Sequence, residues 1–163
     1  MFLLIILGVV VLLAVMVYNT LISKKNQVEN VFASIDAILK KRYDLIPNLV
    51  ATVQQYMNHE KETLIKITEL RAKAVSGKLS SDETVELDNQ VSKTLGGIMV
   101  AVENYPDLKA NQNMLQLQEE LTSTENRISF ARQAFNDAIT TYNITCEKFP
   151  SNVIAGMFNF KQA

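Results

Sequence analysis

The sequence is poor in the residues that build most catalytic and metal sites. Its 163 residues include one cysteine, Cys146, one histidine, His59, and no tryptophan. A single cysteine cannot form an internal disulfide bond, and no second histidine is available for a helical zinc motif. The paired Glu-x-x-His motifs of di-iron bundles and a glycine-rich phosphate loop are also missing from the sequence. We therefore predict no enzymatic activity, no cofactor and no metal site.

Neither sign of charge is in excess, because sixteen Lys and Arg residues stand against seventeen Asp and Glu residues. A nucleic-acid-binding surface would need a clustered basic excess, so nucleic acid is not an expected partner. Three prolines and five glycines are few helix breakers for a chain of this length. The composition favours an all-α protein with long helices.

The longest uncharged stretch of the chain is at its N-terminus. It runs from Phe2 to Tyr18, its apolar character extends to Ile22, and the first charged side chain is Lys24. A helix of about 20 apolar residues spans the ~30 Å hydrocarbon core of a bilayer. A cleaved signal peptide is the alternative, but it would have a basic start, a shorter apolar core and a small-x-small cleavage site. We predict a retained membrane anchor over residues 1–22.

Basic side chains follow this anchor, and none precedes it. Lys24 and Lys25 lie at its C-terminal end, and Lys40, Lys41 and Arg42 come within about 20 residues of it. The positive-inside rule then predicts that the N-terminus lies outside the cell and the rest of the chain in the cytoplasm.

Four helical segments are predicted after the anchor by apolar residues that recur every three to four positions. The first continues out of the membrane to about Leu39, and the second covers about 45–75, with Pro47 between the two stripes. Proline has no N–H to donate and disfavours helical geometry in the preceding residue. We therefore favour a tight turn at 42–48 over the alternative, a kink in one continuing helix.

Capping signals bound the later helices. Gly77 can adopt the left-handed conformation that ends a helix, and Ser80 with Glu83 has the spacing of a capping box. The third helix contains Gly96-Gly97, for which close helix packing is the usual compensation. Asp107 is a possible cap for the fourth helix.

Several specific strings occur in a fixed order along the chain. They are Tyr18-Asn19, residues 41–50 (KRYDLIPNLV), His59-Glu60, Arg71, residues 103–110 (ENYPDLKA), Leu117, Glu120-Leu121, residues 124–126 (TEN), Ala131-Arg132, Phe135-Asn136, Tyr142-Asn143 and Phe149-Pro150. In this order the chain resembles the LemA family nearly end to end, with Phe135 standing where the family pattern has Tyr. The resemblance implies a single-pass bacterial membrane protein and does not imply any enzymatic activity. It also implies a fold in which the N-terminal transmembrane helix is followed by an antiparallel up-and-down four-helix bundle.

Polar residues interrupt the apolar stripes of the first and fourth predicted helices, and five of them are candidate site residues: Arg42, Asp44, Glu125, Arg132 and Asn136. A buried charge needs a partner. Glu125 and Arg132 are about two helical turns apart, so a group such as Arg42 or Tyr56 is expected to bridge them. Such a network either fixes the register of the helices or forms a pocket for a polar ligand.

The tail over residues 149–163 is too apolar for a solvated end. In an up-and-down bundle the fourth helix, about 108–147, ends near the membrane. We predict that Phe149, Met157, Phe158 and Phe160 contact the bilayer surface or a neighbouring subunit. Folding of the tail over its own bundle is the alternative.

Three regions follow from these patterns: an anchor over 1–22, a helical bundle over 23–148 and the tail over 149–163. They predict a membrane-anchored helical scaffold or interaction protein, with coiled-coil packing and self-assembly into a homo-oligomer. Its expected partners are the lipid bilayer and other proteins or copies of itself. A ligand-binding or sensory domain that uses the polar network is the alternative function.

Overall fold

The computed structural model describes residues 1–57, 59–77 and 79–163, and the regular secondary structure of these residues is helical. Their helices are, in order, α1 Phe2–Val53, α2 Lys61–Val75, α3 Ser81–Val102, α4 Pro106–Lys109, α5 Gln112–Glu147 and α6 Ser151–Met157. They divide into two compact units. The first, the terminal unit, comprises Met1–Ile35 and Ser129–Ala163, and the second, the middle unit, comprises Asp36–Ile128.

Helix α1 continues through Pro47, which lies six residues before its end. The predicted tight turn at 42–48 is therefore wrong, and one continuing helix is observed. Proline at this position cannot donate to the carbonyl oxygen of Tyr43 one turn earlier. Arg71 of α2 supplies a donor instead, with its Nε 3.0 Å from that oxygen. The side-chain hydrogen bond replaces the helical one that proline removes.

The chain turns after Val53 rather than at the proline, so the predicted helix over 45–75 is divided. The amides of Tyr56 and Met57 donate to the carbonyl oxygen of Val53 at 3.0 and 2.9 Å, and the Met57 side chain is buried. Beyond the turn, the hydroxyl of Tyr105 donates to the carboxylate of Glu60 at 2.9 and 3.0 Å. This hydrogen bond raises the pKa of Tyr105.

The predicted caps around the start of α3 are confirmed. Gly77 has a φ of +70°, the left-handed conformation that glycine adopts without strain. The Ser80 amide donates to the Glu83 carboxylate at 2.8 Å, and the Glu83 amide donates to the Ser80 hydroxyl at 3.3 Å. Because the Ser80 backbone and hydroxyl hydrogen-bond to the carboxylate, the pKa of Glu83 lies below its usual value.

Two expectations for the second half of the chain are wrong. A Cβ atom built on Gly96 or Gly97 would meet no atom within 4 Å, so no close helix packing compensates these glycines. Asp107 does not cap the fourth predicted helix, because it lies inside the short helix α4. Helix α5 begins later, where the Asn111 Oδ1 accepts hydrogen bonds from the amides of Asn113 and Met114 at 2.9 and 3.2 Å.

Each unit has buried apolar side chains. In the middle unit the large ones that are less than 2% exposed are Ile46, Leu49, Val53, Met57, Ile67, Val91, Ile98, Leu108, Met114 and Ile128. In the terminal unit a cluster forms from Leu21, Tyr142, Cys146 and Ala155, with Val17, Val28, Ile154 and Phe160 packed against it. We call this second set the terminal cluster.

The N-terminal part of α1 contrasts with these cores. From Phe2 to Met16 its large apolar side chains are at least half exposed. Among the residues described, α1 is the one helix long and apolar enough to cross a membrane, and none of its apolar window is buried in the protein. Apolar side chains exposed over this length need an apolar environment, which a bilayer supplies.

The Arg71–Tyr43 hydrogen bond generates a double-mutant test. We expect Arg71→Met to lower the free energy of unfolding by about 1 kcal/mol, because the Tyr43 carbonyl loses this donor. In a Pro47→Ala background, residue 47 regains an N–H that bonds to the same oxygen, so the effect of Arg71→Met should shrink. Denaturant unfolding of the four full-length proteins in mild detergent, followed by circular dichroism, measures the coupling. Equal losses in both backgrounds would contradict this role for Arg71.

Candidate functional site

A buried arginine joins three helices of the middle unit. Arg42 of α1 is 2% exposed, and its Nη1 lies 2.8 Å from Oδ1 of Asp88 on α3. Its Nη2 lies 2.9 Å from the hydroxyl of Ser92 on the same helix and 2.5 Å from Oε2 of Glu125 on α5. We call these four residues the Arg42 network. Its geometry fixes the positions of α3 and α5 against one side chain of α1.

The two carboxylates of the network differ in their surroundings. The Asp88 side chain is 2% exposed, whereas the Glu125 side chain is 51% exposed. A buried ion pair gains little net stability over apolar packing, but removal of one partner leaves a charge in a medium that solvates it poorly. Asp88 and Arg42 therefore depend on each other for stability. Glu125 is solvated whether or not Arg42 is present.

The structure separates the sequence-predicted site residues into two groups. Arg42 and Glu125 are in contact, and Asp44 is exposed on α1. Arg132 is half-buried and Asn136 is exposed, and both belong to the terminal unit. Tyr56, the other expected bridging group, accepts a hydrogen bond at its hydroxyl from Asn111 Nδ2 at 3.5 Å.

Sequence reasoning missed Asp88 and Ser92. A signal for Asp88 was present, because this residue lies two helical turns before Leu95 and one before Val91. An acidic side chain on the apolar stripe of a helix needs a buried cation, as Arg42 needs a buried anion. Ser92 gave no such signal, since serine is common on half-exposed helix positions.

A cleft of about 350 Å³ opens next to the Arg42 network. It is lined by Arg42, Ser92, Leu95, Gly96, Met99, Leu121, Thr122, Glu125 and Asn126. The space beside Gly96 is open, and the half-exposed Glu125 carboxylate is an acceptor on the wall of the cleft. The cleft thus has the chemistry to accept a hydrogen-bond donor or a cationic group.

Within the terminal unit, the last residues of the tail pack against α1 and α5. The ring of Tyr18 lies 4.8 Å from that of Phe158 and 5.7 Å from that of Phe160. The hydroxyl of Tyr142 donates to the carbonyl oxygen of Lys161 at 2.9 Å. Burial, and secondarily a hydrogen bond with Cys146, raises the pKa of Tyr142 to about 12. This hydroxyl therefore stays protonated and able to donate across the physiological pH range.

One face of the tail is left exposed. Phe149, Val153 and Met157 are 83%, 52% and 73% exposed and follow one another at four-residue steps. Phe158 is 57% exposed, whereas Phe160 is partly buried against the terminal cluster. The tail therefore has an inner face on its own chain and an outer apolar face.

The described residues offer no group of three or more His, Cys, Asp and Glu side chains that could hold a metal ion. His59 is exposed, and Cys146 is buried in the terminal cluster.

These features define the class of the protein, which is a membrane-associated helical protein with a long apolar N-terminal helix. The LemA family model matches residues 31–163, and the chain belongs to this family. The resemblance identified from the sequence is therefore confirmed.

Relatives agree with this assignment. Protein LemA of Metamycoplasma hominis is 31% identical over 84% of the chain, and the match covers 63% of that protein. Magnetosome proteins MamQ 1 and MamQ 2 of Paramagnetospirillum magneticum are each 24% identical over 97% of the chain, and the match covers 68% of each. The chain thus spans about two thirds of the length of these relatives. Their names refer to no enzymatic reaction.

The unequal burial of the two carboxylates leads to unequal mutational effects. Arg42→Met should destabilise the protein by about 3–5 kcal/mol, because it leaves the Asp88 carboxylate buried without this cation. Glu125→Gln should cost less than about 1 kcal/mol, since this side chain is half exposed. Adding Asp88→Asn to Arg42→Met removes the stranded charge and should recover part of the loss.

Thermal and denaturant unfolding of the full chain in mild detergent measure these differences. Arg132→Met serves as the comparison, since Arg132 lies in the other unit. Equal effects of Arg42→Met and Glu125→Gln would contradict the dependence on Asp88.

Proposed function

We propose that this chain is a membrane-tethered helical scaffold. In this proposal α1 crosses the bilayer once with the N-terminus outside, and the domain after it lies in the cytoplasm. The helices after the membrane segment form an antiparallel up-and-down bundle that presents surfaces to other proteins and to copies of the same chain. The observation that carries the proposal is the contact of the tail with Tyr18, which lies in the last turns of the apolar segment of α1.

Tyr18 gives the tail a defined height relative to the bilayer. Asn19 and Thr20, which follow Tyr18, are the first adjacent polar residues of α1, so a spanning α1 puts the Tyr18 ring near the membrane–water interface, where tyrosine is enriched. Phe158 and Phe160 pack on that ring. The tail thus lies where the helix leaves the hydrocarbon, and this position supports a second contact with the membrane.

The composition of the outer face suits that position. Phe149, Val153 and Met157 form its exposed apolar stripe, and Lys148 and Lys161 are exposed beside it. Aromatic and apolar side chains enter the headgroup region while lysines remain with the lipid phosphates. Two attachments, the anchor and the tail, would hold the terminal unit at the bilayer.

A rigid bundle supports the scaffold role better than a catalytic one. The Arg42 network ties α1 to α3 and α5, and Arg71 ties α2 to α1. These contacts fix helix positions. Rigid helices held at one height above a membrane present the same surface to every partner, which lowers the entropy lost on association.

A ligand-binding or sensory role is the second candidate. It rests on the cleft beside Gly96, where the Glu125 carboxylate is accessible. Arg42 itself already bonds to Asp88, Ser92 and Glu125, which leaves it less available to an anionic ligand. The geometry therefore supports a structural use of the network first.

A fluorescence experiment tests the membrane contact of the tail. The chain has no tryptophan, so a single introduced tryptophan is a unique reporter. We expect Met157→Trp in reconstituted vesicles to be quenched by phospholipids brominated near the headgroup, because its side chain enters the interface. Phe130→Trp is the matched control, since Phe130 is equally exposed, at 73%, on α5. It should not be quenched. Equal quenching of both reporters, or none at Met157→Trp, would overturn the second membrane contact.

Self-association is tested by expressing two differently tagged copies in one cell. We expect the copies to purify together from mild detergent and the protein mass by light scattering to exceed one chain. Mixing the two tagged copies only after solubilisation is the control for chance sharing of a micelle. A strictly monomeric chain that also crosslinks to no other protein in native membranes would leave the scaffold proposal without support.

A further inference from the structure

Two glycines lie inside α3 although neither is needed for close packing. Glycine weakens the interior of a helix relative to alanine, and a Cβ atom built on Gly96 or Gly97 would meet no atom within 4 Å. The two positions differ in one respect, because Gly96 lines the cleft beside the Arg42 network, whereas Gly97 lies outside its lining. The missing side chain at Gly96 therefore leaves the cleft open.

The cleft presents a carboxylate to solvent, with an arginine buried behind it. Among the described residues that line the cleft, Arg42 is the one cation and Glu125 the one anion. The Arg42 side chain is buried, whereas that of Glu125 is half exposed. Arg42 also divides its charge between Asp88 and Glu125, so it neutralises the Glu125 carboxylate only in part. A group that enters from solvent meets negative charge first, which favours a cation over an anion.

Three oxygen acceptors lie along one side of α5 at this cleft. Thr122, Glu125 and Asn126 all line it, and their spacing of three and four residues makes them neighbours on the helix surface. The Thr122 hydroxyl donates to the carbonyl oxygen of Gln118 at 2.7 Å, which leaves its own oxygen able to accept. The Asn126 carboxamide also has an acceptor oxygen. Three acceptors match the three N–H donors of a primary ammonium group.

The remaining walls of the cleft are apolar. They are formed by Leu95, Met99 and Leu121, of which Met99 is partly exposed. The volume of about 350 Å³ lies at the lower end of the range for small-molecule pockets. The cleft therefore suits a ligand of few atoms that has a short alkyl chain as well as a cationic group.

We propose that this cleft binds a primary alkylammonium group. The ammonium lies at Glu125, and the alkyl chain lies against Leu95 and Met99 in the space beside Gly96. The inference rests on the second candidate function, the ligand-binding role, and does not require the membrane contacts of the scaffold role. The same chemical group has two sources, which are a free aliphatic amine and a lysine side chain of a partner protein.

Methyl NMR of the methionines tests the proposal on the full-length protein in non-ionic detergent. Met99 lines the cleft, and Met114 is buried outside it. We expect n-butylamine, which is protonated at pH 7, to shift the Met99 methyl resonance saturably and to leave that of Met114 unchanged. Uncharged n-butanol, of the same size, should bind about tenfold more weakly. Equal binding of n-butanol, or no saturable shift at Met99, would overturn the proposal.

A matched pair of carboxylate variants tests the role of the charge. Glu125→Gln should raise the Kd for n-butylamine about tenfold, because the ammonium loses its charged acceptor. Glu119→Gln removes an exposed carboxylate of the same helix outside the cleft and should leave the Kd unchanged. Equal effects of the two substitutions would show that the amine responds to overall charge, which contradicts the proposed site.

A matched pair of glycine variants tests the position of the ligand. Gly96→Leu fills the cleft and should abolish the n-butylamine shift, whereas Gly97→Leu should preserve it. Both substitutions favour a helix over glycine, so thermal unfolding should show two folded proteins at least as stable as the original chain. Binding that survives Gly96→Leu would place the amine elsewhere and overturn the proposal.

A second ligand distinguishes the two sources of the ammonium. Nα-acetyl-lysine N-methylamide that binds at least as tightly as n-butylamine would assign a lysine side chain of a partner, and weaker binding would assign a free amine. Failure of every amine to bind leaves the tail quenching and the co-purification of tagged copies as they are, so the scaffold role would stand. A monomer without tail contact would leave the cleft proposal in place.

Discussion

The middle unit depends on a buried guanidinium that no single helix could satisfy. Arg42 needs anions and acceptors from other elements, and Asp88, Ser92 and Glu125 supply them from α3 and α5. A buried cation tolerates few arrangements of its neighbours, because each misplaced partner leaves charge without solvation. The network therefore acts on the choice of helix register more than on total stability. Apolar side chains such as Ile46 and Leu49 supply the packing energy but would accept other registers.

The same constraint explains why a proline can lie inside α1. Without an N–H at residue 47, the carbonyl of Tyr43 loses the donor that a regular helix supplies at that position, and the loss of a hydrogen bond to a buried carbonyl is costly. The Arg71 side chain on α2 donates to this oxygen, so a hydrogen bond between α1 and α2 replaces the one that proline removes from α1. Arg42 and Arg71 thus serve one purpose, which is to join helices through polar groups that the helices cannot satisfy alone.

The terminal unit contains the apolar surfaces of the protein. The exposed apolar segment of α1, the Tyr18 ring and the tail packed on it all fall within this unit. Its interior is formed by the terminal cluster, and the outer face of the tail is apolar. Apolar faces of this kind suit an apolar environment, and the proposed function gives them one in the bilayer.

The sequence by itself determined the features that depend on neighbours along the chain. Four features could be identified from short stretches of sequence without knowledge of the fold. They are the apolar run of α1, the Gly77 cap, the Ser80–Glu83 capping box and the strings that indicate the family. The partners of Arg42 were predicted only in part. Arg42 and Glu125 were both identified as charged residues on apolar helix stripes, but Asp88 was overlooked. Only the tertiary structure showed that Pro47 lies inside a continuing helix and that the chain turns after Val53. The donor that rescues Tyr43 lies 28 residues away in sequence, and no local pattern encodes a hydrogen bond between two helices.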